Sequence, residues 1–151
     1  MDVSSNSMRT KKSILFDKQS DIEIEKAISK FSRPLMSNSK WVRLVDKLVE
    51  NADKILRIEF KKVQQDQIGE LFIDEDTTFE FDYWLNGFEG CNSLGGWLTF
   101  KEIEYLVFPR VVDSGKHLEQ DLKLIETLIN AVGHFDLEID IDKIKLTCYK
   151  E

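Results

Sequence analysis

One segment of this 151-residue chain contains eight carboxylates and no basic residue. Residues 63–100 hold eight Asp or Glu and no Lys or Arg, whereas the whole chain holds 28 acids and 21 bases. Six of these acids lie close together in the chain: Asp74, Glu75, Asp76, Glu80, Asp82 and Glu89. Clustered carboxylates can bind hard cations such as calcium, or attract a positively charged protein. The segment lacks the spaced ligands of a calcium loop, which leaves a solvated turn and a protein-binding patch as the main alternatives.

Aromatic side chains lie in the same segment. Trp84, Phe88 and Trp97 surround a glycine-containing loop that has no Lys or Arg nearby to neutralise a phosphate, so a phosphate cradle is not predicted. Aromatic residues usually belong to a core, but exposed ones beside acids make good anchors at a protein interface. The protein-binding hypothesis takes one set of residues: Asp74, Glu75, Asp76, Glu80, Asp82, Trp84, Phe88 and Glu89.

An alternative site is the Glu-x-Lys pair formed by Glu59 and Lys61 on a predicted strand. With a third acid nearby, such a pair can hold a divalent metal and activate water in a nuclease or another hydrolase. Asp46 or Asp53 could be that acid, but both lie in or just after a predicted helix. Opposite charges two residues apart on a strand also occur as ordinary surface pairs, and this simpler interpretation is favoured.

Composition excludes several other classes of function. The formal net charge of -7 argues against nucleic-acid binding, which needs a concentrated basic surface. No apolar run approaches the ~18 residues of a membrane span, so we expect a cytoplasmic protein. Cys91 and Cys148 do not form a metal-type or redox-type pair, which agrees with a reducing compartment. The sequence predicts no catalytic residue, cofactor or metal, and it leaves the oligomeric state open. A structural or regulatory protein-interaction module is a further alternative that the sequence allows.

Periodicity predicts the elements that would position these residues. Apolar residues at helical spacing predict helices over 21–31, 37–52 and 116–132, the second with a cap among Ser37, Asn38 and Ser39. Alternation predicts strands over 55–63, 68–73, 79–85, 135–142 and 144–149, and a long apolar segment over 97–108 predicts the central strand. Acids at every second residue from Asp136 to Asp142 would deter pairing at a sheet edge.

This order of elements lacks a repeating strand-helix unit. We therefore predict an α+β fold, with a mostly antiparallel sheet of about six strands and two or three helices packed on one face. Residues 1–20 are predicted to be a flexible N-terminal tail, and residues 21–151 a single domain.

Two stretches of the chain carry a resemblance to known proteins. Ser39, Lys40 and Trp41 with Leu44 and Leu48, followed by a strand and by the run from Gly96 to Pro109, resemble small uncharacterised bacterial proteins of the toxin-immunity kind. The resemblance covers about residues 38–110. It implies a small α+β domain that binds and neutralises a cognate toxin, often a nuclease, inside the producing cell.

Overall fold

Antiparallel pairing of strands with alternating apolar and polar residues builds the centre of this protein. A computed structural model describes residues 11–79 and 82–151, with side chains for 20–79 and 82–151. The described helices are α1 (Lys11–Ile28), α2 (Asn38–Glu50) and α3 (Leu122–Val132). The described strands are β1 (Arg33–Pro34), β2 (Ile58–Lys62), β3 (Ile68–Leu71), β4 (Tyr83–Trp84), β5 (Gly87–Glu89), β6 (Trp97–Thr99), β7 (Ile103–Pro109), β8 (Val111–Asp113), β9 (Leu118–Glu119), β10 (Asp136–Ile139), β11 (Lys143–Thr147) and β12 (Tyr149–Lys150).

The main sheet has five strands in the order β10-β11-β7-β2-β3, and every pairing in it is antiparallel. Phe60, Leu106 and Leu146 lie side by side in the register and are fully buried. They form the apolar face of the sheet, which joins one hydrophobic core with side chains of α2 and α3. The predicted α+β class, the antiparallel pairing and the central position of β7 are confirmed.

The sheet has five strands, so the prediction of about six is wrong. The predicted central strand over 97–108 is interrupted by a 3₁₀ turn at Phe100–Glu102. The buried Glu102 carboxylate accepts hydrogen bonds from the backbone nitrogen and the hydroxyl of Thr99, at 2.7 and 2.8 Å. This turn separates β6 from β7, and β6 pairs instead in a three-stranded sheet of order β4-β5-β6.

Capping side chains account for where α2 and α3 begin. Ser37 accepts a hydrogen bond from the backbone nitrogen of Lys40 at 3.1 Å, which confirms one of the predicted caps of α2. Helix α3 begins at Leu122 instead of residue 116, and the Asp121 carboxylate caps it. The residues before it form a β8–β9 hairpin whose loop places His117 at φ 53°, a left-handed conformation that a continuing helix does not contain.

Helix α1 begins at Lys11 and ends at Ile28, so it includes residues 11–20, which were assigned to the N-terminal tail. Lys101 contacts the carboxylates of Asp21 and Glu25 at 2.6 and 2.8 Å and joins the helix to the 3₁₀ turn. Residues 1–10 of the predicted tail lie outside the described residues. Within the described ranges, none of the helices combines the length and hydrophobicity that a bilayer crossing requires.

Candidate protein-binding site

The turn that follows β3 is shaped by the first of its three acids. The Asp74 carboxylate accepts hydrogen bonds from the backbone nitrogen of Asp76 at 2.9 Å and from the Thr77 hydroxyl at 3.3 Å. The Thr77 hydroxyl in turn accepts one from the backbone nitrogen of Asp74 at 3.0 Å. Such local bonds stabilise a tight turn. The Asp74 side chain thus stabilises the turn. The side chains of Glu75 and Asp76 are exposed and make no such bond among the described residues.

The three-stranded sheet presents one face to the core and the other to solvent. Tyr83, Phe88 and Leu98 share a row of the register and are buried. Side chains alternate between the faces of a strand, so Trp84 and Trp97 lie on the outer face. Their exposed fractions are 47% and 44%.

Close backbone packing holds this small sheet together at Gly87. A Cβ atom at this position would come within 2.5 Å of the Leu98 carbonyl oxygen and 2.9 Å of the Thr99 Cα. Only glycine lets β5 approach β6 so closely. On the outer face, Glu89 is paired with Trp97 across the two strands, and its backbone nitrogen donates to the Asp82 carbonyl at 2.8 Å.

The turn that contains Asp74, Glu75 and Asp76 is called the acidic turn. Cys91 connects it with the three-stranded sheet. Its thiol donates to the Asp82 carbonyl at 3.3 Å, and its own carbonyl accepts from the backbone nitrogen of Phe72 at 2.7 Å. Burial, followed by the charges of Asp82, Asp74 and Glu89, raises the pKa of Cys91 to about 11. The two hydrogen bonds of Cys91 therefore join the end of β3, which leads into the turn, to the segment that carries Asp82 and leads into β4.

Within the described part of the chain, these carboxylates have no cation beside them. Among the described side chains, no Lys or Arg nitrogen lies within 4 Å of the carboxylates of five acids: Asp74, Glu75, Asp76, Asp82 and Glu89. The other two described acids of the segment do have partners, since Glu70 contacts Arg57 at 3.3 Å and Asp66 contacts Lys61 at 4.0 Å. The five unpaired acids together with Trp84 and Trp97 are called the acidic tryptophan surface.

Two members of the predicted binding set need comment. Phe88 is fully buried and packs edge-to-face against Phe100 at 5.2 Å, so it cannot contact a partner and leaves the set. Glu80 lies outside the described residues. Trp97 lies beside the loop and is not a member of the predicted set. Its alternation with the buried Leu98 was the signal that it faces outward.

The alternative hydrolytic site is divided by the main sheet. Glu59 and Lys61 lie on the outer face of the main sheet, opposite the apolar face that carries Phe60. Glu59 accepts a hydrogen bond from the Arg57 guanidinium at 2.7 Å, and Lys61 donates one to the Glu104 carboxylate at 2.6 Å. Asp46 lies on α2, which packs on the opposite face, and it accepts a hydrogen bond from the Tyr83 hydroxyl. Burial and this bond raise the pKa of Tyr83. The described residues contain no group of three or more His, Cys, Asp or Glu that could hold a metal ion.

Comparison with other proteins adds no relative to this description. No protein-family model, curated protein or solved structure matches the chain.

Proposed function

We propose that this chain is an immunity-type protein that binds a positively charged bacterial toxin through the acidic tryptophan surface and neutralises it. The observation that carries the proposal is the group of five acids with no Lys or Arg beside them among the described side chains, next to two half-exposed tryptophans. The sequence resemblance supplies the class of partner, and a nuclease is the first toxin to test.

The chemistry of this surface suits a basic protein partner. Unpaired carboxylates attract cations over distances set by ionic screening, about 8 Å at physiological salt, and speed the first encounter. An acidic surface can also imitate the phosphates of nucleic acid and cover the basic active site of a nuclease. Tryptophans at such a site supply the apolar contact that slows dissociation. Nucleic acid itself would be repelled.

Protection of growing cells tests the function directly. The protein encoded beside this chain's gene is expressed alone and together with the chain, and growth is followed. We expect the neighbouring protein alone to stop growth and the chain to restore it. If cells that express both proteins stay as sensitive to the neighbouring protein as before, this neighbour is not the partner. If the chain also fails to bind any basic toxin of the same host, the proposal is wrong.

Association kinetics test the surface. In the triple variant Asp74→Asn, Glu75→Gln, Asp76→Asn, we expect association with the toxin to slow by about tenfold at low salt and to depend less on salt. The matched control is Asp136→Asn, Glu138→Gln, Asp142→Asn, which removes the same charge from exposed positions at the other edge of the sheet. Equal rates for the two variants would show that only net charge matters and would exclude this surface as the binding site.

A further inference from the structure

A groove opens where strands β2 and β3 separate. Their last paired residues are Ile58 and Leu71, and beyond this pair each chain is held by a different partner. The Gln120 side-chain oxygen accepts from the backbone nitrogens of Leu56 and Arg57 at 2.9 and 3.3 Å, and its amide donates to the Arg57 carbonyl at 3.0 Å. On the other strand, the backbone nitrogen of Phe72 donates a hydrogen bond to the Cys91 carbonyl instead of pairing with β2. The two strands therefore part and leave a space between them.

The size and walls of this groove fit a single apolar side chain. Its volume is about 140 Å³, well below the roughly 300–1,000 Å³ of typical small-molecule pockets. Leu56 and Phe72 line it and are 44% and 51% exposed. The other apolar residues of the lining are the buried Ile55, Ile58 and Leu71 and the partly buried Ile73. Exposed apolar side chains beside a groove are typical of a contact surface for another protein.

The charge at the rim indicates what kind of chain would enter. Asp74 lines the groove and also forms the acidic turn, so the groove is continuous with the acidic tryptophan surface. Among the described residues, the one Lys or Arg in its lining is Arg57, which already contacts Glu59 at 2.7 Å and Glu70 at 3.3 Å. A partner segment is therefore drawn here by its positive charges, while the groove itself accepts an uncharged apolar side chain.

We propose that this groove binds one apolar side chain of a lysine- or arginine-rich polypeptide segment whose cations lie against Asp74, Glu75 and Asp76. The inference rests on the proposed function, because it assigns a basic partner to the same surface. It adds a sequence requirement for that partner: a large aliphatic or aromatic residue flanked by cations.

Two short peptides test this requirement without knowledge of the natural partner. The first has four lysines around a central leucine, and the second has serine in place of the leucine. Each is titrated at low salt into the isotope-labelled full chain, and backbone amide signals are followed by nuclear magnetic resonance. We expect the leucine peptide to bind about tenfold more tightly, because only it buries an apolar side chain. Both peptides should shift Glu75 and Asp76, and only the leucine peptide should shift Leu56 and Phe72.

Two variants provide the matched comparison. Phe72→Ser removes one wall of the groove and should abolish the preference for leucine. Ile68→Ser replaces an equally exposed apolar residue of β3, 49% exposed, that does not line the groove, and it should keep the preference. A preference retained in Phe72→Ser would overturn the groove as the binding site of the leucine.

The outcomes separate this inference from the proposed function. Equal affinity for both peptides, with shifts at Glu75 and Asp76 alone, means that the groove is not used although the surface attracts cations. The absence of shifts at Glu75 and Asp76 with either peptide means that the acidic turn does not bind cations, and the proposed function then fails as well.

Discussion

The outer face of the five-stranded sheet and the acidic tryptophan surface are both rich in charge, but only one of them is neutralised. On the outer face, Arg57 contacts Glu59 and Glu70, and Lys61 contacts Glu104 at 2.6 Å. On the acidic tryptophan surface, no described Lys or Arg lies beside the carboxylates. Paired charges cancel each other's field at a distance, whereas unpaired ones act on an approaching protein. The comparison teaches that the pairing of charges, more than their number, decides how strongly a surface attracts a charged molecule.

The outer face also shows how pairing relieves repulsion. Glu59 and Glu70 are direct neighbours across β2 and β3, an arrangement that destabilises a sheet when both residues are charged. Arg57 lies between them and contacts both. The acidic tryptophan surface lacks such a cation among the described residues, so the repulsion between its carboxylates is not relieved in the same way.

The largest expected effect distinguishes the buried face of the three-stranded sheet from its outer face. Phe88→Ala should lower the free energy of unfolding by about 4 kcal/mol, because it empties space in the core. Urea denaturation measures this loss. Under the proposed function, affinity for the toxin per folded molecule should stay unchanged. Phe88→Leu serves as a milder variant that keeps most of the volume. A small change in stability combined with weaker toxin binding would mean that Phe88 contacts the partner and is not a core residue.

Trp84 should show the opposite behaviour. It is half exposed and its ring stacks on Phe79 at 5.5 Å, so it is already held in position for contact. Under the proposed function, Trp84→Ala should weaken binding to the toxin by about 2 kcal/mol, mainly through faster dissociation. Tyr105→Ala is the control on the outer face of the main sheet, where the Lys145 ammonium lies 4.4 Å from the Tyr105 ring centre. Surface plasmon resonance that finds the two variants equally weak would remove the distinction between the faces.

Removal of one charged side chain should matter for stability on the paired face and not on the acidic tryptophan surface. Arg57→Gln leaves Glu59 opposite Glu70 and should lower the free energy of unfolding by up to about 1 kcal/mol, with partial recovery at high salt. Glu75→Gln, on the acidic tryptophan surface, should change it by less than about 0.5 kcal/mol. Denaturation of the double variant Arg57→Gln, Glu70→Gln should show recovery, because the repulsion is then absent. If Arg57→Gln alone is neutral, the pairing has no energetic role.

The smallest expected effect concerns the electrostatic field that nearby carboxylates exert on the Cys91 thiol. Asp82→Asn keeps the shape of the side chain but removes a negative charge that opposes the thiolate, so the pKa of Cys91 should fall below about 11. At fixed pH the thiolate fraction then rises, and modification by methyl methanethiosulfonate should accelerate several-fold. Peptide-level mass spectrometry separates Cys91 from the buried Cys148. Glu138→Gln, on β10, should leave the rate unchanged; an equal acceleration there would mean that no local field acts on Cys91.

Local patterns were sufficient for several elements and for the sign of the charge. The stripe containing Trp41, Leu44 and Leu48 predicted α2, and Ser37 was among its predicted caps. The edge position of β10 agrees with its alternating acids. The interruption between β6 and β7 was not predicted, because it depends on the Glu102 carboxylate reaching Thr99 in the folded core. An apolar run looks the same whether or not such a turn divides it.

The sequence by itself determined that the chain combines helices with antiparallel strands and that residues 63–100 carry only negative charge, since both follow from residue order alone. Tertiary structure decided which carboxylates remain unpaired: Arg57 and Lys61 reach Glu70 and Asp66 from outside the segment, while Asp82 and Glu89 receive no described cation. It also decided that Trp84 faces solvent and Phe88 the core. Strand register and the packing of sheets bring distant residues together, and neither can be read from neighbouring residues.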